Sequence, residues 1–366
     1  MEQNQILKMY GTDFKETTKE LLKEANLAGH IPSFSARIGL KPNLIGAIPA
    51  SEGATTHPEV VAGIIEYLQE HGFFNIVIVE GSWVGDKTMS AVSACGYDKL
   101  IENYCVELID TQKDSFYVDD CNGLPLKICS CIKDIDFLIN VPVLKGHCQT
   151  RITCALKNMK GLIPNSEKRR FHAIGLHEPI AHLNVGIHQD FIVVDHICGD
   201  LDFEEGGNPF VQNCIMAAMD PVLLDSYVAK LLHYEVTDVR YITLAEQLHV
   251  GCADLDKAEI IVFGEDYAKE LPHAKKAVEL SYGVDEVGSC SACYGNLIPA
   301  LDRLEKAGLL SKLDEQICIG QGYRTKTGGI GIGNCTKNFD FYVKGCPPTE
   351  NAIFNALKKY IEAKKV

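Results

Sequence analysis

The sequence predicts an α/β fold with a mostly parallel sheet flanked by helices, followed by a smaller C-terminal α+β module. Two observations lead to this prediction. Over the first three-quarters of the chain, short apolar runs alternate with helical stretches, which is the rhythm of βαβ units. The length of 366 residues exceeds that of one hydrophobic core, so two structural units are expected. We place an α/β domain at residues 1–275 and a cysteine-rich domain at residues 276–366, with a polar linker around 265–288.

Four apolar runs predict the central strands of the sheet. Each run is short and continuous, as expected of strands that are covered on both faces. They are residues 74–80, 135–142, 191–195 and 259–263. Three closely spaced segments, at 106–111, 115–120 and 124–131, predict an antiparallel addition.

Residues 56–72 predict a helix with recognisable ends. Thr56 or His57 would cap it, Pro58 suits its first turn, and Gly72 suits its end. The other helices are predicted at about 87–104, 152–161, 177–188, 220–233, 238–249, 296–307 and 349–364.

The overall composition indicates a globular protein of the cytoplasm. Hydrophobic residues make up 46% of the chain and charged residues 23%. The sequence shows neither a basic leader with a hydrophobic segment nor a run of about 18 apolar residues, so neither export nor membrane spanning is predicted. The formal charge of −14 disfavours nucleic acid or an anionic membrane surface as a partner.

Cysteine usage points to a reducing compartment. Fifteen cysteines are too few for a disulfide-rich secreted scaffold, and their odd number indicates free thiols. Such use of thiols fits an anaerobic cell. Eight of them are dispersed singly and are interpreted as small buried hydrophobes. These are Cys95, Cys105, Cys121, Cys148, Cys154, Cys198, Cys214 and Cys252.

Four cysteines near the C terminus are spaced as metal ligands. Cys290 and Cys293 form a C-x-x-C turn, Cys335 follows a glycine-rich stretch, and Cys346 is followed by two prolines. Four thiolates suit an iron–sulfur cluster or zinc, and a Cys-Pro sequence ends many cluster-binding runs. We predict a [4Fe–4S] cluster held by this cysteine quartet, which makes residues 276–366 the cluster-binding domain. Structural zinc and ordinary buried or redox-paired cysteines stay open as alternatives.

A basic stretch follows the predicted strand at 135–142. Residues 145–170 hold seven lysines and arginines but one acidic residue. Ligands of open α/β sheets gather outside the carboxyl ends of strands, and basic side chains there bind carboxylate or phosphate. We therefore predict an anionic small-molecule site, with Thr153, Lys157 and Asn158 as substrate-binding residues. The alternative is a solvated basic helix face.

Histidines and a strand-end carboxylate supply candidates for proton transfer. Six of the twelve histidines lie between residues 147 and 196, and a tuned imidazole moves protons near neutral pH. We name Lys145, His147, His172 and Asp195 as candidate catalytic residues. The alternatives for the histidines are surface or hydrogen-bonded residues and a second metal site. The acidic loop at 199–209 is interpreted as a solvated turn, with coordination of a cation as the alternative.

Five segments of the chain carry a resemblance to a known family. They are residues 41–44, 141–147, 152–161, 194–195 with 206–209, and 220–225. Together they resemble the family called domain of unknown function 362, over about residues 36–232, and we add Lys41 of the first segment to the substrate-binding residues. The resemblance implies iron–sulfur association, although many members carry a ferredoxin-type module where this chain has the cysteine quartet. More distantly, the α/β unit is similar in fold to the catalytic half of nickel-dependent lactate racemases.

The economical interpretation is a redox enzyme, in which the cluster passes electrons to an anionic small molecule or cofactor held by the basic stretch. Four cysteine ligands leave iron no open position for substrate, which favours electron transfer. The sequence has no nucleotide-binding fingerprint, so a partner protein is the expected reductant. Two alternatives stay open: a non-redox lyase or isomerase using a metal and histidine acid–base chemistry, and an electron carrier or maturation factor without catalysis.

Overall fold

The computed structural model describes residues 1–204, 206–264, 270–272 and 276–364. The chain forms two compact units. Unit 1 comprises Met1–Arg169 and His177–Ala274, and unit 2 comprises Arg170–Leu176 and Lys275–Val366. The linker predicted around 265–288 lies in part outside the described residues. Nothing in the sequence pattern assigns Arg170–Leu176 to unit 2.

The described strands are numbered along the chain. They are β1 Gln5–Tyr10, β2 Ile38–Pro42, β3 Ile76–Glu80, β4 Glu107–Asp110, β5 Phe116–Cys121, β6 Leu124–Cys129, β7 Phe137–Val141, β8 Lys145–His147, β9 Arg151–Thr153, β10 Phe191–Asp200, β11 Pro209–Ala218, β12 Glu259–Phe263, β13 Val284–Glu286, β14 Ile317–Ile319, β15 Ile330–Ile332 and β16 Phe341–Val343.

Unit 1 is built on one large sheet. Among the described strands, eight pair in the order β12-β1-β11-β10-β7-β2-β3-β4. Every neighbouring pair is parallel except the two that involve β11, which runs antiparallel to β10 and β1. The predicted α/β fold with a mostly parallel sheet is therefore confirmed.

The helices are also numbered along the chain. They are α1 Phe14–Glu24, α2 Pro58–Glu70, α3 Thr88–Ala94, α4 Tyr97–Tyr104, α5 Ala155–Asn158, α6 Asn165–Ile174, α7 His177–Gly186, α8 Pro221–Leu231, α9 Arg240–Gln247, α10 Lys276–Leu280, α11 Ser291–Lys306 and α12 Glu350–Ala363. The sequence did not predict α6, because Phe171 and Ile174 are too few apolar positions to define a helical period. No helix in the described part of the chain is both long enough and apolar enough to cross a membrane.

The predicted antiparallel addition is only partly correct. β5 and β6 form an antiparallel hairpin closed by Asn122 and Gly123, and both turn residues have positive φ, of 56° and 87°. Asn-Gly is favoured there because a two-residue hairpin turn of this type needs positive φ at both positions. β4 instead runs parallel to β3 at the edge of the large sheet.

Three of the four predicted strands, β3, β7 and β10, are buried on both faces, in agreement with their continuous apolar runs. β12 is a partly exposed edge strand, so the expectation of cover on both faces is wrong for residues 259–263. Every residue of β2, β3, β7 and β10 is buried. One face packs against α1, α2 and α4 through a core of aliphatic side chains. Burial of this apolar area is the main stabilising contribution to unit 1.

Unit 2 contains a small sheet and two helices that pack against each other. Its described strands form a parallel sheet in the order β13-β14-β15-β16, and α11 packs on α12. A helix near the start and a closing helix at the end were both predicted for this region. The predicted smaller α+β module is thus confirmed as a fold.

Candidate functional site

The candidate site of unit 1 lies at the carboxyl edge of the large sheet. β2, β3 and β7 are parallel neighbours, so their carboxyl ends lie at the same edge. Lys41, Glu80 and Asn140 lie at or next to these ends, and all three are buried. Since ligands of open α/β sheets bind outside this edge, buried polar groups here mark a candidate site.

Lys41 and Glu80 form a buried ion pair that joins β2 to β3. The ammonium group of Lys41 also donates to the carbonyl oxygen of Pro42 at 2.6 Å. Glu80 Oε1 accepts a hydrogen bond from the backbone of Gly81 at 2.7 Å. These contacts satisfy both charges, which an ion pair inside a protein requires.

A chain of buried amides extends inward from this ion pair. Asn158 Nδ2 donates to the carbonyl oxygen of Lys41 at 3.1 Å and to Asn140 Oδ1 at 2.7 Å. Asn140 Nδ2 in turn donates to Gln189 Oε1 at 2.6 Å, and Gln189 Nε2 donates to Asn184 Oδ1 at 2.6 Å. Asn158 therefore ties the ends of β2 and β7 together and fixes the position of Lys41.

A second group of charges surrounds Glu204, which belongs to the acidic loop at 199–209. Its carboxylate contacts Lys157 Nζ, and Glu204 Oε2 lies 3.0 Å from His147 Nε2. Lys157 Nζ also donates to Thr153 Oγ1 at 2.9 Å. The expectation of a solvated turn is therefore wrong for Glu204, whose side chain is only 23% exposed.

His147 is held as one neutral tautomer. Its Nδ1 lies 3.0 Å from the backbone nitrogens of Gln149 and Thr150, both of which donate to it. The ring proton must then be on Nε2, where it is donated to Glu204. Burial, followed by repulsion from Lys157, lowers the pKa of His147 to about 4. At neutral pH His147 is therefore a hydrogen-bond donor inside the site and carries no charge.

Three further ammonium groups enter the same region. Lys145 Nζ donates to the carbonyl oxygen of Ala54 at 2.6 Å, and Lys168 Nζ donates to those of Gly81 and Ser82 at 2.8 Å. Burial lowers the pKa of Lys145 and of Lys168 to about 8.

Lys160 is the most perturbed of these ammonium groups. Burial, then repulsion from Lys157 and Lys168, lowers the pKa of Lys160 to about 7. Within the described residues no hydrogen bond or ion pair holds its ammonium group. We call the five residues Lys41, Lys145, Lys157, Lys160 and Lys168 the lysine cluster.

Among the described residues, the lysine cluster carries more positive charge than its carboxylates balance. Glu80 and Glu204 form ion pairs with its lysines, and Asp200 also acts on Lys145, so three carboxylates face five lysines. Burial makes each uncompensated positive charge costly, and an anion placed among the lysines would offset that cost. The cluster therefore has the chemistry of a carboxylate or phosphate site.

The structure places the other two catalytic candidates elsewhere. Asp195 contacts His57, whose backbone nitrogen and Nδ1 lie 2.7 and 2.8 Å from Asp195 Oδ2. His172 lies in unit 2. The structure brings six of the predicted residues in unit 1 into one network. Lys41 lies with Asn158, and Lys145 lies with His147, Thr153 and Lys157.

Glu204 of this site escaped the sequence argument, because it lies in a loop that resembles any acidic surface turn. Two residues beside Asp195 escaped it too. His57 was read as a helix cap, and it occupies that position before Pro58 without making a side-chain cap. Cys198, whose Sγ lies 3.8 Å from His57 Nε2, was counted among the buried small residues. Lys160 and Lys168 gave a signal as members of the basic stretch.

In unit 2 the other three cysteines of the quartet lie close enough to Cys293 to raise the pKa of its thiol. Cys290 is the N-cap residue of α11, and Cys293 lies in the first turn of the helix, its backbone nitrogen 2.9 Å from the carbonyl oxygen of Cys290. Burial, then the thiols of Cys290, Cys346 and Cys335, raises the pKa of Cys293 to about 12. Burial, then Cys335 and Cys346, also raises the pKa of Cys290.

Two glycines bring the loops of Cys335 and Cys346 together. Gly333 and Gly345 both have positive φ, of 85° and 153°. Asn334 N donates to the carbonyl oxygen of Gly345 at 2.9 Å, and Gly345 N donates to Asn334 Oδ1 at 3.0 Å. A side-chain carbon at Gly333 would lie 3.7 Å from Cys293 Sγ, so this glycine, two residues before Cys335, lies beside the sulfur of Cys293.

The donor set of the quartet fits an iron–sulfur cluster in its chemistry. The four thiols come from three segments, the thiols of Cys290, Cys335 and Cys346 all act on Cys293, and sulfur is the ligand that such clusters require. In the described part of the chain, no group of three or more His, Cys, Asp or Glu side chains is already arranged to hold a metal ion. The cluster and its four ligands therefore stay a prediction.

The fold and the lysine cluster define an α/β protein with buried basic residues at the carboxyl edge of its sheet. Residues 38–230, more than half of the chain, match the sequence profile of the family described as domain of unknown function DUF362, and the protein belongs to that family. The resemblance drawn from the motifs is thus confirmed. The chain is also similar to a thylakoid-associated protein of Synechocystis sp., with 25% identity over 247 residues that cover 64% of this chain and 74% of that protein.

Proposed function

We propose that this protein is an iron–sulfur redox enzyme of the cytoplasm that acts on an anionic small molecule or a bound anionic cofactor. The proposal rests above all on the lysine cluster, because an anion between the ammonium groups would offset the cost of burying their uncompensated charge. Fifteen cysteines, an odd number, support free thiols in a reducing compartment.

The quartet supplies the second half of the proposal. Cys290, Cys293, Cys335 and Cys346 would hold the cluster, which would supply one-electron transfer when bound. A partner protein that reduces the cluster completes the proposed reaction, and the sequence offers no nucleotide fingerprint that would replace it.

The residues of unit 1 have separate roles in this proposal. Lys160 and Lys145 bind the anion as charged donors, and Lys157 is held against Glu204 until an anion competes for it. His147 keeps Glu204 in place through its Nε2 proton. The Lys41–Glu80 pair lies at the base of the site, and its hydrogen bond with Asn158 holds Lys41 in position.

Two measurements test the two halves independently. Anaerobically purified protein should contain about four iron and four sulfide per chain, with a paramagnetic signal after reduction. One zinc and no sulfide would remove the redox proposal and leave a structural metal site.

For the anion site, sulfate binding is measured by calorimetry in the wild type, in Lys160→Gln and in Lys113→Gln. Lys160→Gln should weaken binding by about 1.5–3 kcal/mol, the value of a hydrogen bond to a charged group. Lys113 is 74% exposed at its side chain, so its variant is the matched control and should bind as the wild type does. Equal affinities in all three proteins would contradict the anion site.

A further inference from the structure

A second set of reactive side chains lies around Asp195, in unit 1. Asp195 is fully buried on β10, and one of its oxygens receives both the backbone nitrogen and Nδ1 of His57. The other nitrogen of the imidazole ring faces a thiol, since His57 Nε2 lies 3.8 Å from Cys198 Sγ. The order carboxylate, imidazole, thiol is that of an activated nucleophile.

The pairing of β10 with β11 is irregular between the carboxylate and the thiol. Asp195 and Cys198 are three residues apart, so in a regular strand they would point to opposite faces of the sheet. Between His196 and Cys198, two steps along β10 oppose three along β11, so the extra residue lies in β11. Asp195 Oδ1 accepts from the backbone of Ile197 at 3.1 Å, so the carboxylate that orients His57 also holds the β10 backbone at this irregularity.

The charge state of His57 follows from the groups that act on it. Burial opposes the charged imidazolium, but Asp195 and then Cys198 outweigh it and raise the pKa of His57 to about 10. Both ring nitrogens therefore carry protons at neutral pH, and the Nε2 proton is directed at sulfur. Since His57 and Cys198 are 12% and 6% exposed, little water screens this attraction.

The loop that carries His57 also contacts the lysine cluster. Cys198 Sγ lies 3.6 Å from the carbonyl oxygen of Ala50, and Lys145 Nζ donates to that of Ala54, four residues further along the loop. Gly53 permits this arrangement, because it has a φ of +82° and a side-chain carbon there would lie 2.5 Å from the backbone nitrogen of Asp200. The thiol and the lysines thus flank one short loop at the same edge of the sheet.

We propose that Cys198, His57 and Asp195 form a thiol-based catalytic triad that attacks an activated carbonyl carbon, an ester or thioester, in a small anionic substrate. Cys198 is the nucleophile, His57 moves the proton and Asp195 orients His57. The triad does not depend on the proposed function, whereas the choice of an anionic substrate rests on the anion site proposed above.

The reaction balances with water as the second reactant. The thiolate of Cys198 attacks the carbonyl carbon, an S–C bond forms, and the bond to the leaving alkoxide or thiolate breaks. The leaving group takes the proton from His57 Nε2. Water then attacks the thioester and gives a proton to His57, the S–C bond breaks, and the acid is released with the imidazolium–thiolate pair restored.

The test is the pH dependence of alkylation at Cys198 in the full-length protein, followed by peptide mass spectrometry. The probes are iodoacetate, which is anionic, and iodoacetamide, which is neutral. An ion-paired thiolate reacts at nearly the same rate between pH 6 and 8, whereas an ordinary thiol loses about tenfold per pH unit below its pKa. Cys105 is exposed and serves as the ordinary thiol within the same sample.

Three outcomes are informative. A flat profile at Cys198 that becomes steep in His57→Gln, but stays flat in the surface control His188→Gln, supports the triad; His188 is 84% exposed at its side chain. A Cys198 that does not react, or that follows the profile of Cys105 in the wild type, overturns the triad even if the His57 variant fails to fold. A flat profile without a preference for iodoacetate over iodoacetamide overturns the anionic substrate and leaves the iron–sulfur proposal untouched.

Discussion

The carboxylate of Glu204 contacts the ammonium group of Lys157 in unit 1, although 47 positions separate the two residues in the sequence. Burial would raise the pKa of Glu204, but Lys157, His147 and Lys145 hold it well below its usual range. Glu204 is thus the acidic loop's contribution to the lysine cluster. It supplies Lys157 with a counter-charge while no other anion is present.

Removing this carboxylate should destabilise the protein. Glu204→Gln leaves Lys157 buried without its counter-charge, and breaking a buried ion pair costs about 3–5 kcal/mol. Because the side chain of Glu204 is 23% exposed, we expect about 2–4 kcal/mol in urea unfolding. Added sulfate should recover part of the loss by occupying the vacated position.

The matched control is Glu70→Gln, which breaks the surface pair of Lys19 and Glu70. That carboxylate is 56% exposed, so the expected cost is less than about 1 kcal/mol and sulfate should not change it. Equal costs for the two variants would mean that Glu204 has no special role among the lysines.

Anion binding should weaken as the pH rises. The lysines bind an anion as ammonium groups, and burial has lowered the pKa of Lys160 to about 7 and of Lys145 and Lys168 to about 8. The affinity for sulfate, whose own charge is constant in this range, should therefore fall between pH 6 and 9. A bound anion raises these pKa values, so binding at pH 8 should take up protons.

Calorimetry in buffers of different ionisation enthalpy measures this proton uptake directly. The enthalpy of sulfate binding at pH 8 should change with the buffer, and the dependence should diminish at pH 6, where the lysines are already charged. Proton release at pH 8, or an affinity that does not change with pH, would contradict the assignment of the cluster as the binding site.

The sequence predicted the strands that carry the site more accurately than the side-chain contacts within the site. Continuous apolar runs locate β3, β7 and β10 because strands buried on both faces have no polar side to alternate with. The contacts of Glu204 depend on the path of a loop, which has no periodicity to read. Asp195 and Cys198 meet at His57 where the register between β10 and β11 is irregular, and no residue type in β10 predicts that irregularity.

Close packing around the Lys41–Glu80 pair makes Gly161 sensitive to substitution. A side-chain carbon at Gly161 would lie 2.4 Å from Lys41 Cε and 2.6 Å from Glu80 Oε1. Gly161→Ala must displace the ion pair, and we expect a loss of about 1–3 kcal/mol in unfolding free energy, as for other overpacked interiors. Gly283→Ala is the control, because nothing lies within 4 Å of the added carbon. An unchanged stability in Gly161→Ala would show that the pair can shift without cost.

The cysteine quartet makes the sharpest prediction, because unit 2 contains its own control. Cys318 lies on β14, is partly buried as Cys335 is, and is absent from the set of thiols that act on Cys293. Serine is a harder and poorer ligand for iron than cysteine, so Cys335→Ser and Cys346→Ser should each lose most of the iron and the visible absorption. Cys318→Ser should keep both.

Iron and sulfide are measured on anaerobically prepared protein, with circular dichroism to verify that each variant is folded. The loops that carry Cys335 and Cys346 are joined by hydrogen bonds between Asn334 and Gly345, whereas Cys318 pairs with Gly331 inside the sheet. The expected difference in iron content follows from this geometry. Equal losses in all three variants would mean that the iron depends on the fold of unit 2 and not on the quartet.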